Sequence, residues 1–212
     1  MRRLILLAGL AVALAPAAQA QPPAVVEVEP RYGIPGNPRL FPQTDPKTTL
    51  ASAVKAVESG RYDYLVAHLM DEKYVEGRID DRARLVEPAV DAELRALRDR
   101  QKRDTAFDKR LQLPDDPVQF NERVRQEARV RAFRQVVRDA EEKLTDDPTL
   151  VKELRRYLRE GDFTAGTNAA AAALRDVKDR QVFFKKVGER WFIENRQQPA
   201  PEAKPPAVRP ER

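Results

Sequence analysis

The 212-residue chain contains no cysteine, one histidine, one tryptophan and only eight glycines. Without cysteine there is no disulfide, no thiolate-bound zinc, no iron–sulfur cluster and no thiol nucleophile. A single imidazole, His68, excludes every site that needs two. A Ser–His–acid triad would have to use Ser52 or Ser59, the only serines, and neither lies on a strand-to-helix elbow. No phosphate-cradling glycine loop and no D-x-D-x-D-G calcium loop occurs, so no motif implies a cofactor or a metal. After residue 20 no run approaches the roughly 18 consecutive apolar residues of a membrane span.

What is present begins at the N-terminus. Arg2 and Arg3 precede an apolar run from Leu4 to Leu14, broken only by Gly9, and Ala18-Gln19-Ala20 follows with small residues at both cleavage-site positions. This is the pattern of a secretory signal peptide over 1–20, with export to the periplasm or the cell exterior as the expectation. The apolar run is too short to span a bilayer, and no cysteine follows it to take a lipid anchor. Without Arg2 and Arg3 the chain carries 37 basic and 34 acidic residues, a net of +3. Such a balance gives no argument for nucleic acid as a partner.

Residues 21–44 hold six prolines and read as an extended, loosely packed lead-in, and 198–212 as a Pro-rich disordered tail. Between them, 45–197 has the size of one core. Asp45-Pro46, Asp116-Pro117 and Asp147-Pro148 each place a capping carboxylate before a proline, which predicts three helix starts. The first helix runs to Ser59 and stops at Gly60. A short second helix carries Tyr64, Leu65, His68 and Leu69, with Asp63 as its cap. A third is expected over 88–103, beginning at Pro88, and a fourth from Pro117 to about Leu144. In the fourth, Phe120, Val124 and Ala128 face one way, while Val130, Phe133, Val137, Ala140 and Leu144 face nearly the opposite way. The helix therefore either bends or packs its halves on different surfaces. A fifth spans 148–160.

After Gly161 the apolar period changes from helical to alternating. Gly188-Glu189 forms a two-residue turn that pairs Phe184 with Ile193 and Lys186 with Trp191. Phe184, Trp191 and Ile193 are the expected core of this hairpin. Residues 168–175 admit helix by their five alanines and strand by their position; strand is the reading adopted. The fold class is α+β, helix-rich through the N-terminal and central region, with a small antiparallel C-terminal sheet.

Few residues offer chemistry. His68, one turn after Tyr64, is either a general base with Tyr64 beside it or a residue at the rim of the apolar face. Of the paired carboxylates Asp80-Asp81, Asp115-Asp116 and Asp146-Asp147, the last two stand at helix starts, where capping accounts for them. The arginines of the fourth helix alternate with Glu127 and Glu142, which makes a salt-bridged surface rather than an anion stripe. Phe183 and Phe192 fall on the hairpin face opposite Trp191. They are either buried under another element or form an interface strip for a second copy or an envelope partner.

Two segments resemble the NTF2-like (SnoaL-like, cystatin-type) superfamily. DPKTTLASAVKAVESGRYDYLVAHLMD, from Asp45 to Asp71, is similar to its opening helices, and QVFFKKVGERWFIENR, from Gln181 to Arg196, to its closing hairpin with a turn glycine and an inward Trp. The resemblance implies a pocket near His68 and Tyr64 and a tendency to dimerise, but no particular reaction, because members range from isomerases and dehydratases to binding and scaffold modules. The expectation is thus an exported, non-enzymatic binding or structural module. The alternative is an NTF2-like small-molecule pocket protein, either a ligand binder or an acid–base enzyme using His68.

Overall fold

A computed structural model describes residues 28–103 and 112–196, the side chains of 178 and 179 excepted. The expected signal peptide, the start of the lead-in and the tail lie outside the described residues.

Asp45 opens helix α1 (Pro46–Glu58) with a reciprocal cap. Its carboxylate accepts from the Thr48 amide at 2.9 Å, while the Thr48 hydroxyl accepts from the Asp45 amide at 3.1 Å. Asp116 and Asp147 cap α4 (Pro117–Asp146) and α5 (Pro148–Glu160) by accepting from the Gln119 and Thr149 amides. All three Asp-Pro pairs start helices, as their chemistry requires. After Gly60, at φ +66°, one turn of helix α2 (Tyr62–Tyr64) widens at once into a π-helical segment, Leu65–Leu69. The Met70 amide reaches back five residues to the Leu65 carbonyl, at 3.1 Å. Asp63 is inside this helix rather than at its cap, where Arg61 stands, and its carboxylate accepts from the Tyr64 amide at 2.8 Å and from the Arg61 guanidinium at 3.0 Å.

Helix α3 (Glu72–Arg103) corrects the expected start at Pro88, which lies in its interior. The apolar stripe Val75, Ile79, Ala83, Val90, Leu94 passes straight through that point and buries itself against α4. Pro88 sits on the exposed face, where water can serve the Arg84 carbonyl that loses its donor. Helix α4 is one uninterrupted helix whose apolar residues recur every four positions, from Phe120 through Val124, Ala128 and Ala132 to Val136, Ala140 and Leu144. Each four-residue step overshoots a turn by about 40°, so the stripe winds about 240° around the helix. Its first half packs on α3. Leu144, at the far end, joins a cluster with Phe41 and Leu65. The two expected faces are not on different surfaces: Phe133, Val137 and Ala140 share one core cluster with Phe120, Val124 and Ala128, and only Leu144 packs elsewhere.

Gly161 ends α5 where a Cβ would stand 2.3 Å from the Tyr157 carbonyl oxygen. The chain then forms an antiparallel meander, β1 (Asp162–Ala165), β2 (Ala169–Leu174), β3 (Val177–Val187) and β4 (Arg190–Glu194), in that spatial order. The architecture is α+β, helix-rich with a small C-terminal sheet. The alanine segment is strand β2. Ala170 and Ala172 are buried in a cluster with Leu50 of α1 and Tyr157 of α5, where small side chains let the helices lie close. Tertiary packing here overrides the helical preference of alanine. The β3–β4 register is as expected: Phe184 opposes Ile193 and Lys186 opposes Trp191, around a turn whose Gly188 has φ +59°. Phe184 and Trp191 are core; Ile193 is half-buried and bridges two clusters.

The lead-in departs most from expectation. Phe41 and Gln43 are buried, and Arg31–Ile34 forms a tight turn with Tyr32 at φ +53° and Gly33 at +79°. That left-handed tyrosine is held by its ring, stacked 4.5 Å from Phe133, and by its hydroxyl, which bonds Glu76. Residues 37–44 then run to the outer edge of β4. There the Trp191 amide donates to the Gln43 carbonyl at 3.0 Å, and the Gln43 side-chain amide donates to the Trp191 carbonyl at 2.7 Å. Further along, the Asp71 amide donates to the Ile193 carbonyl at 2.8 Å. The edge is thereby closed by two segments distant in sequence. No helix among the described residues is long and apolar enough to cross a membrane.

Candidate functional site

The π segment places His68 in the interior. All five of its residues are buried, and His68 has no exposed surface. Its Nε2 lies 2.9 Å from the Ile34 carbonyl oxygen, which can only accept, so Nε2 carries the hydrogen, and the buried Nδ1 has no partner among the described residues. Burial pushes the His68 pKa down. The Ile34 carbonyl opposes that shift, and the charges of Arg190 and Arg31 add to it. The Tyr64 ring lies 4.8 Å away, tilted by 38°, its hydroxyl accepting from the Asn37 amide at 3.0 Å, and burial raises its pKa. The structure brings the two acid–base candidates together, but as a neutral, sealed pair.

The chain does contain a cavity suited to a ligand, on the other side of the π segment. It has a volume of about 300 Å³ and lies where α1, the π segment, α3, α4, α5 and β4 meet. Val57, Leu65, Val75, Val136, Leu154 and Ile193 form its walls. The charged and amide lining residues are Arg78, Asp139, Lys143 and Asn195, and three of these are solvent-exposed, so they mark its mouth. Asp139 is engaged by Arg82. Arg78 and Lys143 make no ion pair among the described residues. Neither His68 nor Tyr64 lines the space. The cavity could not be read from sequence because six elements contribute one or a few residues each, with no local spacing to mark them.

Other constellations are occupied by structure. Asp80 and Asp81 separate: Asp80 pairs with Arg129, and Asp81 with Arg84 at 3.6 Å. Arg129 also binds Glu76, which receives Tyr32 and Arg31, so this cluster straps the N-terminal turn to α3 and α4. Burial with Glu76 beside it pushes Tyr32 up to about 12. Burial alone would raise the Glu76 carboxyl, but its hydrogen bonds from Tyr32 and Arg31 and the Arg129 charge outweigh that and hold it low. Arg131, expected to pair with Glu127, does so at 3.0 Å and binds Glu93 as well. A wider cleft of about 530 Å³ beside Pro88 is lined by charges of both signs, with Asp91 and Arg95 paired across 2.8 Å. Among the described residues no group of three His, Asp or Glu converges to hold a metal.

Phe183 and Phe192 are each 6 % exposed. The Arg190 guanidinium lies 5.0 Å from the Phe192 ring centre, and that of Arg196 5.6 Å from the Phe183 ring centre. Lys185, opposite Phe192, reaches Asp71 at 3.5 Å. Burial, one of the two readings, is what is observed, and no exposed aromatic strip is available for an interface there.

No protein-family model matches the chain, and neither does any curated protein or solved structure.

Proposed function

We propose that this chain is a non-enzymatic binding module of the periplasm or cell envelope, and that it holds a small apolar-bodied ligand between its helices and its sheet. The observation that carries the reading is the cavity of about 300 Å³, apolar within and polar only at its mouth, the usual design of a small-molecule site. The sealed state of His68 and Tyr64 supports binding over acid–base turnover, since neither reaches the space a ligand would fill. Both segments that resemble the NTF2-like superfamily border this cavity: Val57 and Leu65 from the first, Ile193 and Asn195 from the second. Export rests on the charged and apolar pattern of the first 20 residues.

Methyl-resolved NMR with 1-octanol as probe tests the binding reading. Saturable shifts confined to Val57, Val75, Val136 and Leu154 are expected. The absence of shifts, or shifts spread over the surface, would overturn it.

A further inference from the structure

Resting on that binding reading, we propose that the ligand is a single-chain amphiphile with an anionic head, its alkyl body of roughly eight to ten carbons inside the cavity and its head between Arg78 and Lys143. A dry cavity of roughly 150 Å³ accepts a benzene-sized guest, so the volume here takes roughly eight to ten carbons and excludes a two-chain lipid.

The charge at the mouth selects the head. Arg78, on the second turn of α3, and Lys143, near the end of α4, both line the opening and are exposed. The sole acid in the lining, Asp139, is taken by Arg82. Asp147, on the turn beyond Lys143, is directed to the Thr149 amide as the cap of α5. Two cations therefore face an apolar space with no anion of the described chain committed to them. A carboxylate entering tail-first would meet a guanidinium able to hold both its oxygens and an ammonium beside it. An alcohol accepts a hydrogen bond there but brings no opposite charge, and a quaternary ammonium is repelled. Asn195 adds an amide that can donate to the same head.

The test is calorimetric titration of the full chain at low ionic strength, below micelle formation, with n-alkyl carboxylates, decanol and decyltrimethylammonium. Carboxylate affinity is expected to rise roughly fourfold per methylene up to about ten carbons and then level off. Decanoate should bind at least roughly tenfold tighter than decyltrimethylammonium, a preference that shrinks in high salt. Doubly substituting Arg78→Gln and Lys143→Gln, both at exposed positions, should bring decanoate down to the affinity of decanol. Equal binding of all three probes, or a double variant as tight as the parent, overturns the anionic head and leaves the cavity reading standing. Refusal of every probe overturns both. That second result also covers a cavity filled by residues 1–27 or 197–212 of the chain itself.

Discussion

Replacing Gln43 with alanine removes one side chain that serves three partners. Its amide nitrogen donates to the His68 carbonyl at 2.9 Å and the Trp191 carbonyl at 2.7 Å, and its carbonyl oxygen accepts from the Arg190 guanidinium at 3.0 Å. Gln43 is buried, so water does not replace what is lost. Two neutral bonds at about 1 kcal/mol each and one charged bond at about 1.5–3 kcal/mol give a loss of about 3.5–5 kcal/mol. Arg190 keeps a longer contact to the His68 carbonyl, 3.3 Å, which places the expected value at the lower end. Against a typical total of about 5–15 kcal/mol, that is a large fraction of the stability. Gln43→Glu keeps the Arg190 bond but turns a carboxylate oxygen onto the His68 and Trp191 carbonyls, acceptor against acceptor, so it too should fall well below the parent. Urea denaturation followed by the fluorescence of Trp191, the only tryptophan, reads the event beside its cause, with far-ultraviolet circular dichroism for the whole fold. A Gln43→Ala loss under about 1 kcal/mol, no larger than that of the exposed neighbour Thr44→Ala, would refute the claim that Gln43 closes the sheet edge.

Three further outcomes are expected. His68 is the only histidine, and its folded pKa lies below the ordinary value. The unfolded chain therefore takes up the proton first, and stability should fall as pH drops below about 6.5, by at most about 1.4 kcal/mol per pH unit. His68→Gln should flatten that slope in urea midpoints between pH 7 and 5; a persisting slope would assign it to other groups. Pro88→Ala restores a helical amide to α3 and should raise the urea midpoint, by about 1–3 kcal/mol of stability, whereas a fall would show that the proline shapes the packing on α4. Phe184→Ala, at a fully buried position, should cost about 3–5 kcal/mol, and Leu85→Ala, at 79 % exposure, under about 0.5 kcal/mol by the same measurement.

The parts legible in sequence are those whose causes are local. An Asp-Pro pair carries its own cap, so α1, α4 and α5 begin where their residues dictate. The β3–β4 register follows from a two-residue glycine turn and strict alternation. Pro88 misled because a proline at a helix start and a proline on an exposed helix face look alike until the partner surface is known. The stripe from Val75 to Ala83 upstream of it was the available correction. The winding stripe of α4 resembled two faces because Ala132 and Val136 carry a weak hydrophobic signal individually. The lead-in looked loose by its prolines. Its anchors are long-range, with Gln43 meeting Trp191 across 148 positions and Tyr32 meeting Glu76 across 44. His68 and Tyr64 were legible as neighbours, but their sealing depends on Ile34 and Asn37, which no helical spacing could supply.

The two borders of the sheet are unequal. Along β4 the backbone groups of Trp191 and the Ile193 carbonyl are already bound to Gln43, Met70 and Asp71. Along β1 the strand pairs only with β2 among the described residues, and three of its four residues are exposed. A sheet with one receptive border can extend once and then has nothing further to offer, because the joined copies each present only the closed side. Any strand-to-strand joining of this chain through β1 is therefore self-terminating at a pair, and growth into a filament would first require the Gln43 segment to peel away.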